Sequence, residues 1–262
     1  MHTKLAPKSL LSTLIGKLAG IAYSLFSYVF FLLTFLYLMG FLGSVWVPKT
    51  INSGPALSWP LALLVDVLLI TLFAVQHSGM ARKSFKNWWL NYVPAPVERA
   101  TYVLVTSAVL ALMFWLWQPI DTPVWTVESS VARALLAAGY WTGWGIVLLA
   151  TFLLSHFELF GIKQALDALR LPKAAPCTFK TPMLYKVVRH PLYLGFLIAF
   201  WVTPDMSVGH LVFALTSTLY IVIGTQLEEK DLVVLFGDKY RRYQKEVGML
   251  LPFIRRKPSP KD

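Results

Sequence analysis

The chain has almost no cysteine and little acid. A lone Cys177 leaves nothing for an internal disulfide or a cysteine-cluster metal site. Asp and Glu number 13 against 24 Lys and Arg, and charged residues make up only 14% of 262 positions. A soluble domain carries about 25%, so the outer surface of this fold has to face something other than water. Strand-like alternation at period two is missing too, which argues against a β-barrel. No repeat, low-complexity tract or long polar linker divides the chain, so residues 1–262 read as one domain. The N-terminus does not resemble a cleavable signal, because its apolar run is longer than an h-region and no small-residue cleavage site follows it.

What the chain has is apolar length. It is 56% hydrophobic and 15% aromatic, with a mean hydropathy of +0.60. A helix needs about 20 apolar residues to cross a bilayer. Leu18 to Trp46, Leu57 to Gln76 (broken only by Asp66), Val97 to Trp117 and Val131 to Leu154 meet or approach that length. Pro191 to Thr203 and Val208 to Leu227 are two legs joined by the turn Pro204 to Ser207. The first leg is too short to cross alone, at about 20 Å for its length, and reads as half of a helical hairpin. The expected fold is therefore all-α: a polytopic transmembrane bundle of five to six membrane segments with a C-terminal hairpin.

Cytoplasmic loops attract Lys and Arg. Only Lys49 and Arg133 fall on one side of this map, and all other basic residues fall on the opposite side. Both termini are therefore expected in the cytoplasm. The net charge of +11 belongs to loops that meet anionic lipid headgroups rather than to a nucleic-acid surface. The longest polar stretch, Phe157 to Val188, places Leu159, Ile162, Leu166 and Leu169 at helical spacing before Pro172, Pro176 and Pro182. It should extend the fourth span or lie along the interface. After the hairpin, a charged amphipathic tail turning at Gly237 could fold back over the cytoplasmic mouth.

Chemistry concentrates at the hairpin's ends. In "VRHPLYLG", Pro191 suits the first helical position, which leaves Arg189 and His190 just outside the helix. The first-turn N–H groups, the positive dipole end and Arg189 together suit a carboxylate or phosphate. Tyr193 adds a ring and a hydroxyl, and Gly195 permits a close approach. The second leg returns to the same side and ends in Glu228 and Glu229, acids that are costly in lipid. Counted from the turn, Glu228 lies about 12 Å further out than Pro191. An elongated ligand with both negative and positive ends fits that offset, and S-adenosylmethionine is one.

The order "RHPLYLG", hairpin leg, "EEKDLVVLFGDKYRRYQKEVGMLLP" resembles the membrane superfamily of isoprenylcysteine carboxyl methyltransferases and phospholipid methyltransferases, over the last third of the chain. Together with "QHSGMARKSFKNWW", "PVERATYVL", "FWLWQP", "LLSHFELFGIKQ" and "FKTPMLYKVVRHP", the chain from about Val65 is similar to the nurim and NnrU branch, and within it to bacterial methanethiol S-methyltransferases. The resemblance implies S-adenosylmethionine-dependent methylation of a small volatile thiol, methanethiol, to dimethyl sulfide in a bacterial inner membrane. The cofactor signature falls on Arg189, His190, Pro191, Tyr193 and Gly195, completed by Glu228 and Glu229. It also implies a division of labour, with residues 18–156 on the substrate side and 180–252 forming the cofactor-binding hairpin and cytoplasmic tail.

A thiol attacks as its thiolate, so a base is wanted near the donor. His77, ending the second span on the cytoplasmic side, is the leading candidate. Asp66 shares its helix face but lies about 16 Å away along the axis, so it is expected to line the same cavity from deeper. Glu98, Arg99 and Tyr102 enter the third span near the same surface, and His156 and Glu158 are possible pocket residues. Two other readings remain open. One keeps the donor and changes the acceptor to another thiol or a lipid; the other is a non-enzymatic membrane protein, either structural or holding haem on His77, His156 and His190.

Overall fold

The computed structural model describes residues 13–169, 179 and 181–252; Cys177, Pro172 and Pro176 lie outside the described residues. Among those described, five helices are long and apolar enough to cross a membrane, and a sixth, shorter one is apolar. The chain is an integral membrane protein. Helix α1 (Leu14–Gly43) starts where the Thr13 hydroxyl accepts the Gly16 N–H at 3.1 Å. Helices α2 (Trp59–Ala81), α3 (Lys83–Trp89) and α4 (Ala95–Leu116) follow. Pro60 and Pro96 sit in the first turns of α2 and α4, where the missing N–H costs nothing.

Strand β1 (Pro123–Thr126) precedes α5 (Ser130–Leu154), which the Ser129 hydroxyl caps by accepting the Ala132 N–H. Short helices α6 (His156–Leu159) and α7 (Ile162–Asp167) follow. The polar stretch therefore does not extend the fourth span. Ser155, at φ 95°, ends α5, and Gly161, at φ 87°, turns the chain back so that α7 packs on α1 and α4. Only glycine fits at 161, since a Cβ there would stand 2.5 Å from the Ala100 nitrogen.

The hairpin consists of α8 (Pro191–Trp201), strand β2 (Asp205–Ser207) and α9 (Val208–Phe236), followed by α10 (Asp238–Glu246). The turn between the legs is a strand, which the sequence reading did not anticipate. It pairs antiparallel with β1 at the end of the bundle that also holds Lys49 and Arg133. Arg133 holds Asp205 through two bonds, at 2.8 and 2.6 Å. That pairing keeps the Asp205 carboxyl below the usual carboxylate range. Because the hairpin tip meets loops at that far end, α8 with its extended continuation reaches it despite its length.

Helix α8 packs along α5 through facing glycines. A Cβ on Gly195 would lie 2.7 Å from the Gly143 carbonyl oxygen, and one on Gly143 would lie 2.7 Å from the Ala199 nitrogen. The close approach foreseen at Gly195 is thus made by another helix. The core runs through Phe41, Phe114, Trp117, Tyr140, Trp144, Phe200 and Phe213, at the centre of the bundle. Many large apolar side chains elsewhere are exposed, among them Leu33, Leu68, Leu135 and Leu219, as a lipid-facing surface requires.

Candidate active site

The basic end of the bundle is closed by the chain's last described segment. Gly237, at φ 57°, turns α9 into α10, as its position in the sequence suggested. Beyond α10 the backbone runs beside the entrance to α8. Arg189 N–H donates to the Gly248 carbonyl at 2.8 Å, and His190 N–H to the Met249 carbonyl at 3.1 Å. The Tyr243 hydroxyl, its pKa pushed up by burial to about 12, donates to the Tyr185 carbonyl at 2.5 Å.

Beneath this strap the two limbs of the hairpin meet directly. Arg189 Nε donates to Glu229 Oε1 at 2.6 Å, with the two side chains 4% and 11% exposed. Arg189 Nη1 donates to the Gln244 carbonyl at 3.1 Å and also to the Val247 carbonyl. Gln244 Nε2 donates to Glu229 Oε2 at 2.9 Å, and His190 Nε2 lies 3.2 Å from Glu229 Oε1. Alongside, the Tyr193 hydroxyl donates to Glu228 Oε2 at 3.1 Å. No 12 Å offset separates the limbs. Trp201, the last residue of α8, donates its indole N–H to Thr218, ten residues beyond Val208, so α8 is displaced along α9 toward the glutamates.

His77 lies toward the same end of the bundle, in the last turns of α2, just beyond which Arg82 reaches Asp231 of α9 at 3.8 Å. The Tyr102 hydroxyl is 3.0 Å from each of its ring nitrogens, and Phe73 stacks on it with centroids 5.4 Å apart. Tyr220 lies edge-on to both rings, 6.4 Å from His77 and 6.2 Å from Phe73, and its hydroxyl accepts from Ser78 at 3.3 Å. Tyr220 thus joins the His77 cluster from α9, the helix that carries Glu228 further along. Arg99 lies over the Tyr102 ring at 4.9 Å and donates to the Leu159 carbonyl at 2.7 Å. With Lys86, Glu98, Glu158 and Gln164 it lines a polar cleft of about 290 Å³ on the other side of Tyr102.

Other sequence candidates fall elsewhere. Asp66 is fully buried toward the opposite end of α2, where Oδ1 accepts the Gln118 N–H at 2.9 Å and pins the chain leaving α4. Its shared face with His77 is real, but the axial distance keeps it out of the cluster. His156 is buried with Nε2 2.8 Å from the Tyr28 hydroxyl and Nδ1 2.8 Å from the Thr151 hydroxyl, and burial lowers its pKa. Glu158 pairs with Lys163 at 2.6 Å. With both His156 nitrogens engaged and His190 on Glu229, these histidines are not presented as a pair of axial ligands. Sequence reasoning missed Tyr220, Phe73, Ser78 and Gln244. Phe73 and His77 are four apart on one helix face, a signal that was available; nothing in the sequence marked Gln244.

The fold and this junction define a class: a polytopic helical membrane protein whose terminal hairpin gathers Arg, His, Tyr and a Glu pair at one end of the bundle. Known proteins narrow the class. Over all 262 residues the chain is 69% identical to the methanethiol S-methyltransferase of Pseudomonas deceptionensis, covering the whole of both. It is 45% identical over 236 residues to the methanethiol S-methyltransferase of Mycobacterium tuberculosis (strain ATCC 25618 / H37Rv), covering 90% of this chain and 97% of that protein. It is 31% identical over 188 residues to nurim of Xenopus laevis, covering 68% of this chain and 65% of nurim. The chain belongs to the methanethiol S-methyltransferase family. No protein-family model matches it, and no solved structure does.

Proposed function

We propose that the chain methylates methanethiol to dimethyl sulfide with S-adenosylmethionine as donor, at the basic end of the bundle. What carries the reading is the convergence of Arg189, His190 and Tyr193 on Glu228 and Glu229, at the end of the bundle toward which His77 also lies, in a chain of this family. The residues fit the donor. Glu228 is exposed over 45% of its side chain and suits the donor's ammonium or ribose hydroxyls. The N–H groups of Leu192 and Tyr193 open α8 without intrahelical acceptors and suit its carboxylate. Arg189, spent on Glu229 and two carbonyls, serves by holding the entrance closed rather than by binding the carboxylate.

The bound donor supplies an activated methyl group on sulfur. The chain's part is to align, to exclude water and to take one proton. His77 would take the thiol proton, leaving the S–H electron pair on sulfur to form the new S–CH₃ bond, while the donor would keep the pair of its broken C–S⁺ bond. Tyr102 fixes the imidazole. In this reading residues 18–156 supply the acceptor side and 180–252 the donor side. The basic end faces the cytoplasm of a bacterial inner membrane, with both termini on that side, and the thiol enters from the bilayer in which it dissolves.

Headspace gas chromatography of cells expressing the chain and fed methanethiol tests this. Dimethyl sulfide should appear with the wild type and be lost with Arg189→Ala and Glu229→Ala. Replacing His77 by Ala should lower turnover about 10²–10⁴-fold. A well-expressed wild type that makes no dimethyl sulfide would refute the proposal.

A further inference from the structure

Tyr220 is assigned no part in the reading above, yet it packs against His77 from the helix that carries Glu228. It lies against His77 and Phe73, at 6.4 and 6.2 Å between ring centroids. Along α9 it stands eight residues, about 12 Å, before Glu228, the carboxylate to which the Tyr193 hydroxyl is bonded. Ser78, next in sequence to His77, donates to the Tyr220 hydroxyl at 3.3 Å and ties it to α2. An acceptor beside His77, and the methyl group that reaches it from a donor held at Tyr193 and Glu228, come within reach of the Tyr220 ring.

We infer that the Tyr220 ring contacts the positively charged sulfonium of the methyl donor and sets the point of transfer between the Glu228 limb and His77. The inference rests on the reading of the chain as an S-adenosylmethionine-dependent enzyme. Its physical basis is the attraction of a cation to an aromatic face, strengthened where water is excluded. The positive charge disappears as the methyl leaves, so the contact should distinguish the sulfonium donor from its demethylated, uncharged thioether product. Glu228 adds a longer-range attraction to the same charge, and it is held in place by Tyr193 rather than by Tyr220.

Calorimetric titration of the purified full-length protein in detergent with S-adenosylmethionine and with S-adenosylhomocysteine reads this directly. The wild type should prefer the charged nucleotide. In Tyr220→Leu the preference should fall about 2- to 30-fold, the range expected of one cation–π contact, while affinity for the uncharged nucleotide is kept and reports an intact fold. Tyr220→Phe, which keeps the ring, should retain the wild-type preference. Loss of the preference in Tyr220→Phe, or an unchanged ratio in Tyr220→Leu, would overturn the inference and leave the enzyme reading standing. If the leucine variant does not fold, loss of the preference in Tyr220→Phe overturns it alone. A wild type that binds neither nucleotide removes the reading on which the inference rests.

Discussion

Replacing Glu229 by Ala should destabilise the protein by about 3 kcal/mol. The Arg189 and Glu229 side chains are 4% and 11% exposed and share a 2.6 Å bond. Removing one partner of a buried pair costs about 3–5 kcal/mol, because the other charge stays desolvated. Arg189 would keep the Gln244 and Val247 carbonyls as acceptors, which holds the cost near the low end of that range. Gln244 Nε2 would lose its carboxylate acceptor, which prevents the cost from vanishing. A double variant, Arg189→Met with Glu229→Leu, leaves no orphaned charge and should be more stable than Glu229→Ala. The coupling in a cycle of Arg189→Met and Glu229→Leu should reach at least about 1.5 kcal/mol. Reversible unfolding of the purified protein in mixed micelles, followed by tryptophan fluorescence, measures each variant. Additive single changes would show that the pair is not a buried clamp, and the account of Arg189 as closing the entrance would fall with it. The double variant should still lack activity, since His190 loses its acceptor too.

Two further outcomes follow from geometry away from that pair. Gly195→Ala should cost about 1–3 kcal/mol in the same unfolding assay, because the methyl would meet the Gly143 carbonyl and the Val147 nitrogen, neither of which is the end of a flexible side chain. No loss of stability would mean that α5 and α8 are not in backbone contact. Asp66→Asn should keep near-wild-type turnover, since an amide oxygen can still accept the Gln118 N–H, whereas Asp66→Ala should lose about 1–3 kcal/mol of stability through the orphaned N–H. A hundredfold fall in turnover for the asparagine variant would place Asp66 in the chemistry after all.

Much of the site was legible because residue types and local spacing carry it. Pro191 at the first helical position fixes where α8 begins, and so puts Arg189 and His190 outside it. The histidine ending α2 and the tyrosine opening α4 both lie toward the basic end, and they meet there. Helical periodicity and rise gave the face and depth of Asp66, but not its partner, the Gln118 N–H on the chain leaving α4. Gly195 signalled a close approach without saying of what; the partner is Gly143, 52 residues earlier in the chain.

The sequence by itself determined that this is a helical membrane protein, since uninterrupted apolar stretches have no other stable state in which backbone polar groups are satisfied within each segment. It also determined which end carries the charge and which residue types gather at the hairpin. Tertiary structure decided how they engage. The slide of α8 along α9 brings Arg189 onto Glu229 and makes it a clamp, the fold-back of residues 247–249 runs beside the entrance to α8, and Tyr220 of α9 comes to pack against His77 of α2. These outcomes depend on packing between helices distant in sequence, where a displacement of one or two turns changes every partner while leaving each helix's own pattern untouched.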